Sequence, residues 1–248
     1  MQRYFVKLAY DGTNYSGWQR QENAVSVQQT LEKCLSVILR EEIKMMGCGR
    51  TDTGVHASKF YAHFDVAEKL NELGKIVFKL NRFLPPDIAI HEIIEVGEND
   101  HTRFDAVERE YQYFVHFQKN PFFTKTSYLS FRDLDLEKMN EAAELLIKES
   151  DFSAFCKAGS QNKSTICDVK VAVWKWIEEE QGIVFTIRAN RFLRNMVRAV
   201  VGTLFEVGMG NLTVEDFQKI IESKDRRRAG SSAPARGLFL TDVVYPFL

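Results

Sequence analysis

The segment Gly49-Arg50-Thr51-Asp52-Thr53-Gly54-Val55-His56-Ala57 combines a carboxylate, a cation and two glycines in nine residues. Glycine reaches backbone conformations closed to other residues, so such a loop can turn sharply and let a substrate approach closely. An Asp held there beside cations stays ionised at neutral pH. An ionised carboxylate can act as a nucleophile or a base, and cannot donate a proton. Two other readings fit the same residues. Asp52 also suits an Asx-type turn, where its carboxylate merely accepts backbone hydrogen bonds. Asp52-Thr53-Gly54 is in addition the triplet of aspartic proteases, which need two carboxylates sharing one proton in a mainly β fold. Arg50 beside the Asp favours ionisation over proton sharing, and the chain has no second Asp-Thr-Gly, so a dyad would require a dimer.

Two further segments carry concentrated positive charge. In Arg188-Ala-Asn-Arg191-Phe-Leu-Arg194-Asn-Met-Val-Arg198, helical spacing puts Arg191, Arg194 and Arg198 on roughly one face, with Phe192, Leu193, Met196 and Val197 on an apolar side. Arg226-Arg227-Arg228 precede a Gly/Ser/Pro loop that ends in Ala233-Pro234-Ala235-Arg236-Gly237-Leu238, a pattern suited to phosphate contacts. From Thr186 to Arg236 there are ten Lys/Arg and five Asp/Glu; this local +5 leaves −6 for the rest of a chain whose net charge is −1. An acidic protein with one polyanion-binding face has that asymmetry. Taken alone, the first segment fits an amphipathic helix with solvated arginines equally well, and for the second a solvated basic loop is the plainer account.

Aromatic residues add candidates for base stacking. Tyr111 and Tyr113 are two apart on an expected strand and share a face, where stacking on a base and core packing compete. Tyr10, Tyr15 and Trp18, around Asp11-Gly12, pose the same choice. The five histidines show no triad or metal spacing, and the four cysteines are scattered, so neither a disulfide framework nor a metal site is expected. The N-terminal residues enter strand-like sequence without an apolar signal region, and no apolar run reaches membrane-spanning length. These features point to a soluble cytoplasmic protein.

The elements that must position these residues follow from periodicity. Residues 3–10 alternate as a strand, Ser26 caps a helix running to about Arg40, and 43–48 and 58–66 read as strands flanking the Asp52 loop. A helix is predicted over 68–83, closed by Pro85-Pro86, then a strand over 88–96. The charged stretch 97–101 suggests a boundary, giving an N-terminal subdomain 1–104 with the Asp loop and a C-terminal subdomain 105–248 with the basic helix and stacking strand. There, strands are expected at 111–117, 169–177, 183–189 and 238–245. Helices are expected at 134–147 (capped by Asp133 or Asp135), at 192–207 and after Thr213. The polar run Glu178–Gly182 joins two of those strands. Without regular β-α-β alternation, the fold class is α+β and largely antiparallel, in two similar subdomains.

Taken in order along the chain, these segments resemble the tRNA pseudouridine synthase A family. Tyr10-Asp-Gly-Thr-Asn-Tyr-Ser-Gly-Trp-Gln-Arg-Gln21 is similar to its opening motif, Gly49–Ala57 to its catalytic loop, and His101-Thr-Arg103-Phe104 with Arg109-Glu-Tyr111-Gln-Tyr113 to its central one. Phe192-Leu193-x-x-Met196-Val197-Arg198-x-x-Val201-Gly202 and Ala233–Leu238 match two downstream motifs. Two departures stand out: Arg194 occupies a commonly aromatic position, and Ser232 a frequent threonine. The resemblance implies a fold of two antiparallel subdomains meeting at a central cleft, with helices on the outer faces. It implies isomerisation of uridine to pseudouridine at tRNA positions 38, 39 and 40, by a homodimer that uses no metal or organic cofactor. Asp52 would be the nucleophile, Arg198 its ion-pair partner and Tyr111 the residue stacking on the target base. Leu238 would line the pocket, and Arg50 would contact the RNA backbone or help displace the nucleotide. The basic residues Arg191, Arg194, Arg226, Arg227 and Arg228 would meet the anticodon arm. A catalytically silent tRNA-binding protein on the same scaffold is the rival reading.

Overall fold

A computed structural model of the chain describes residues 1–157, 159, 163–178 and 182–248. They form two compact units, Met1–Val107 with Leu240–Leu248, and Glu108–Phe239. The fold is α+β and mostly antiparallel.

In the first unit, β1 (Gln2–Tyr10) lies between β3 (His56–Val66) and β4 (Ile88–Val96), antiparallel to both. Its alternation places Tyr4, Val6, Leu8 and Tyr10 on one buried side, as period-2 patterning requires. β2 (Met46–Gly47) pairs with β3, and residues 240–244 of β9 (Leu238–Val244) follow β3 in the sheet order. Helix α1 (Val27–Leu39) starts where Ser26 Oγ accepts the Gln29 N–H, and it buries Val27, Leu31 and Leu35. Helix α2 (Leu73–Phe83) buries Ile76 and Leu80.

The second unit is built on β5 (Glu108–His116), β8 (Gly182–Ala189) and β7 (Val169–Ile177), paired antiparallel in that order. A short parallel strand, β6 (Tyr128–Leu129), borders β5. Helix α3 (Leu136–Lys148) is capped by Asp135, whose side chain accepts the Lys138 N–H. Helix α4 (Met196–Gly208) is apolar nearly all round and correspondingly buried. Helix α5 (Val214–Ser223) opens with a reciprocal Thr213–Asp216 capping box. Trp174 packs with its ring tilted against Phe185 and Phe205 in this core.

Four expectations are corrected. The helix predicted over 68–83 starts only at Leu73, because Glu72 is left-handed (φ 54°) and the Leu70 N–H is taken by the Tyr4 hydroxyl at 2.9 Å. The strand expected over 43–48 is confined to Met46–Gly47, since Met45 donates its N–H to Glu32 of α1 instead (3.0 Å). The helix predicted from Phe192 begins at Met196, after a left-handed Asn195 (φ 63°). Finally, Leu240–Leu248 packs with the first unit. Tyr245 donates its hydroxyl to the Thr102 carbonyl at 2.6 Å, and Tyr245 and Phe247 meet the Phe5 ring. Of the joining run Glu178–Gly182, residues 179–181 lie outside the described residues. Among the described residues no helix is long and apolar enough to cross a membrane.

The His101–Phe104 motif is a structural turn beside β2 and β3. His101 Nδ1 accepts the N–H groups of Arg103 (3.1 Å) and Phe104 (3.3 Å), while Thr102 ties the buried His63 ring to the Met46 carbonyl. Burial, helped by nearby Arg3 and His101, lowers the His63 pKa to about 4. An unfolded His titrates near 6.5, so between these values only the unfolded chain takes up the proton. Stability present at neutral pH is therefore lost as pH falls from about 6.5 toward 4. Urea unfolding at pH 7 and pH 5 should show a wild-type loss exceeding that of His63→Gln by up to about 2 kcal/mol. Equal losses would contradict a buried, neutral His63.

Candidate active site

Asp52 lies half-buried in the connection between β2 and β3, and its backbone is held from outside the loop. Thr51, buried, shares a 2.9 Å hydrogen bond between its hydroxyl and that of Tyr10. The Gly54 N–H donates to the Tyr15 carbonyl (3.2 Å), and the Val55 N–H closes the turn on the Asp52 carbonyl (3.1 Å). Beneath the loop, buried His56 places Nδ1 3.1 Å from the Gly12 nitrogen and 3.0 Å from the Asp11 carboxylate.

The opening motif is thus the support of the loop. Tyr10, Tyr15 and Trp18 are all buried, so packing is the role of these three aromatics. Trp18 stacks on Phe60 at 4.2 Å, and the Tyr15 hydroxyl donates to Asp87 at 2.6 Å. Desolvation first, and that carboxylate second, raise the Tyr15 pKa. Two glycines make the contact possible. A Cβ on Gly12 would collide with the Val55 carbonyl, and one on Gly17 (φ 83°) with the Thr51 carbonyl. Neither pattern nor spacing revealed that these two pack against the Asp52 loop, whereas Gly49, one of the glycines that bracket it, has open space around it. Arg50 and Thr53 are exposed beside Asp52.

In the second unit, β5 separates its two tyrosines. Tyr113 is fully buried and donates its hydroxyl to the Pro234 carbonyl (2.9 Å); burial raises its pKa. Tyr111 is half-exposed, edge-on to Phe192 at 5.1 Å, which leaves it as the stacking candidate of the pair. Arg198, on the first turn of α4, donates Nε to the Ala233 carbonyl at 2.8 Å, and the Ala233 N–H returns to the Arg198 carbonyl at 2.8 Å. Leu238 is buried at the end of the 3₁₀ turn Ala235–Gly237.

The expected row of helical arginines does not form. Arg191 and Arg194 precede α4, because Asn195 turns the chain left-handed and donates its side-chain N–H to Ser232 Oγ at 2.6 Å. The local positive charge is also partly neutralised. Arg188 pairs with Glu110 (2.8 Å), Lys224 with Asp151 (3.0 Å), Lys219 with Asp216 (3.1 Å) and Arg227 with Asp225 (2.7 Å). The Arg227 guanidinium, with the Arg227 N–H, holds the Asp225 carboxyl down to about 2. Arg226 points inward to backbone carbonyls, while Arg194 and Arg228 are exposed. Among the described residues no cluster of three or more His, Cys, Asp or Glu could hold a metal ion.

An α+β scaffold of antiparallel sheets, with a carboxylate loop propped on an aromatic turn, places the chain among the pseudouridine synthases. Its residues 8–105 and 142–246 match the family described as tRNA pseudouridine synthase, and the chain belongs to that family. It is 52% identical over 247 residues to tRNA pseudouridine synthase A of Bacteroides thetaiotaomicron, covering 99% of this chain and 91% of that one. The enzymes of the same name from Bacteroides fragilis and Clostridium kluyveri are 50% identical over 246 residues and 40% over 247. Each alignment covers 99% of this chain, with 97% and 100% of the respective relative.

The packing of Gly17 on the loop has a measurable consequence. Gly17→Ala adds a methyl group at positive φ against the Thr51 carbonyl, so it should destabilise by about 1–3 kcal/mol. Because the strain falls on the residue next to Asp52, activity should fall at temperatures where the variant is still folded. A folded variant with wild-type turnover would show that the turn does not hold the loop.

Proposed function

We propose that the protein isomerises uridine to pseudouridine at positions 38, 39 and 40 in the anticodon arm of tRNA, with Asp52 as nucleophile. The chain is an isomerase of the tRNA pseudouridine synthase family, as are its relatives by name. What carries the assignment to Asp52 is its setting: a half-buried carboxylate between exposed Arg50 and Thr53, on a loop whose backbone is fixed by Tyr10, Gly12, Tyr15 and Gly17.

The reaction breaks the glycosidic bond, rotates the uracil, joins its C5 to the ribose and releases the C5 hydrogen. A carboxylate positioned before substrate arrives loses little entropy on reaching the reacting atom. A stacked uridine must first leave the helix, at a cost of a few kcal/mol. Tyr111 offsets that cost by stacking on the extruded base, worth about 1–3 kcal/mol. By the family resemblance Arg198, whose Nε donates to the Ala233 carbonyl, is the cation assigned to pair with the Asp52 carboxylate. Leu238 supplies apolar wall. Arg50, Arg191, Arg194 and Arg228 contact the RNA; Arg227 joins them if phosphate displaces Asp225. By the family resemblance the enzyme works as a homodimer, and its scattered cysteines suit the reducing cytoplasm.

Tritium release from tRNA labelled at uridine C5 tests this reading. Wild-type enzyme should release tritium, and replacing uridines 38, 39 and 40 by cytidine should abolish it. Tyr111→Ala should slow release by about 5- to 150-fold, as expected for a lost stacking contact. Arg198→Ala should slow it by about 100-fold or more, as expected for a carboxylate left without its cation. Salt-sensitive tRNA binding without any release would mean a silent binding protein instead.

A further inference from the structure

Arg226 has the position of a phosphate-binding residue and the contacts of an internal brace. Its Nη1 donates to the carbonyls of Ala229 (3.3 Å) and Gly230 (3.1 Å), and its Nη2 to Ser232 Oγ (3.0 Å). Ser232 Oγ also accepts the side-chain N–H of Asn195, the left-handed residue that starts α4. The Gly230 N–H donates to Thr203 Oγ1 (3.0 Å), further along the same helix. One residue past Ser232, Ala233 clasps Arg198 through both its carbonyl and its N–H. A single guanidinium therefore holds three groups of the strap that ends on Arg198.

We propose that Arg226 is a positioning residue for the reaction: it fixes the 229–233 strap, and the strap orients Arg198. The inference rests on the role given to Arg198 above. Arg198 Nε donates to the Ala233 carbonyl, a directional contact that helps set the plane of its guanidinium. If the strap shifts, that plane turns, and the remaining donors lose their alignment. An Arg is required at 226 because its planar fork reaches several acceptors at fixed angles. A lysine ammonium keeps the charge and loses that geometry.

Kinetics of tritium release and tRNA affinity, measured together, separate a brace from a phosphate contact. As a brace, Arg226→Gln lowers kcat about 10- to 100-fold, the scale of a small misplacement at a reacting site. Its tRNA Kd stays within about twofold, with the salt dependence of binding unchanged, and Arg226→Lys does no better. A phosphate contact would instead reduce affinity, lower the salt slope by about 1 and tolerate Lys, and that result overturns the proposal. Ser232→Ala, which removes only one acceptor, should show the same pattern more weakly. In an Arg198→Ala background, Arg226→Gln should have no further effect on kcat, since the brace then has nothing to orient. Additive losses overturn the positioning role alone. Undiminished kcat in Arg198→Ala itself overturns the reading of Arg198, and this inference with it.

Discussion

The geometry around Asp52 depends on one close approach: the backbone of the Gly12–Trp18 turn lies against the backbone of Thr51–Val55 with no room for a side chain between them. Everything nearby serves that contact. Trp18 and Phe60 stack beneath it, His56 fills the space under Gly12, and Tyr10 reaches Thr51 through a buried hydroxyl pair. The glycine conformations cost entropy, and burial of the aromatic residues around them compensates. The product is a loop whose backbone on either side of Asp52 is fixed from outside the loop.

A comparable logic operates at Arg198. Its helix is so apolar that burial alone would place it, yet burial says nothing about the direction of an arginine at its start. Direction comes from hydrogen bonds to the 229–234 strap, which is in turn tied to Tyr113, Asn195, Thr203 and Arg226. Several residues of the downstream motifs thus hold the strap that meets Arg198. The same holds for Tyr113, which anchors Pro234 from the strand that carries Tyr111 two residues away.

Much of this was legible in the sequence where the signal is local. Alternation marked β1, β3, β4, β7 and β8, and Ser26, Asp135 and Thr213 marked helix starts, because a strand face or an N-cap is written within a few residues. The Asp52 loop was visible as a glycine-bracketed carboxylate, and family resemblance supplied the candidate roles. What failed were features decided by distant partners. Glu68–Glu72 looks helical until the Tyr4 hydroxyl takes the Leu70 N–H. The arginine row at 191, 194 and 198 looks like one face until Ser232, 37 residues on, accepts the Asn195 side chain that ends it. At Arg226 a charge run reveals nothing of the three carbonyl and hydroxyl acceptors folded back upon the guanidinium. Gly12 was legible as a turn residue and Gly17 as part of a motif, but not the backbone contact each permits, because close approach has no sequence period.

The central claim is that the Asp52 carboxylate does the chemistry and does not merely hold the loop. Asp52→Asn keeps the size and hydrogen-bonding reach of the side chain while removing its nucleophilic charge. Its single-turnover rate of pseudouridine formation, measured beside its tRNA affinity, decides the matter. The account predicts a rate below detection with affinity close to wild type. A rate within about tenfold of wild type, a barrier change of only about 1.4 kcal/mol, would contradict it.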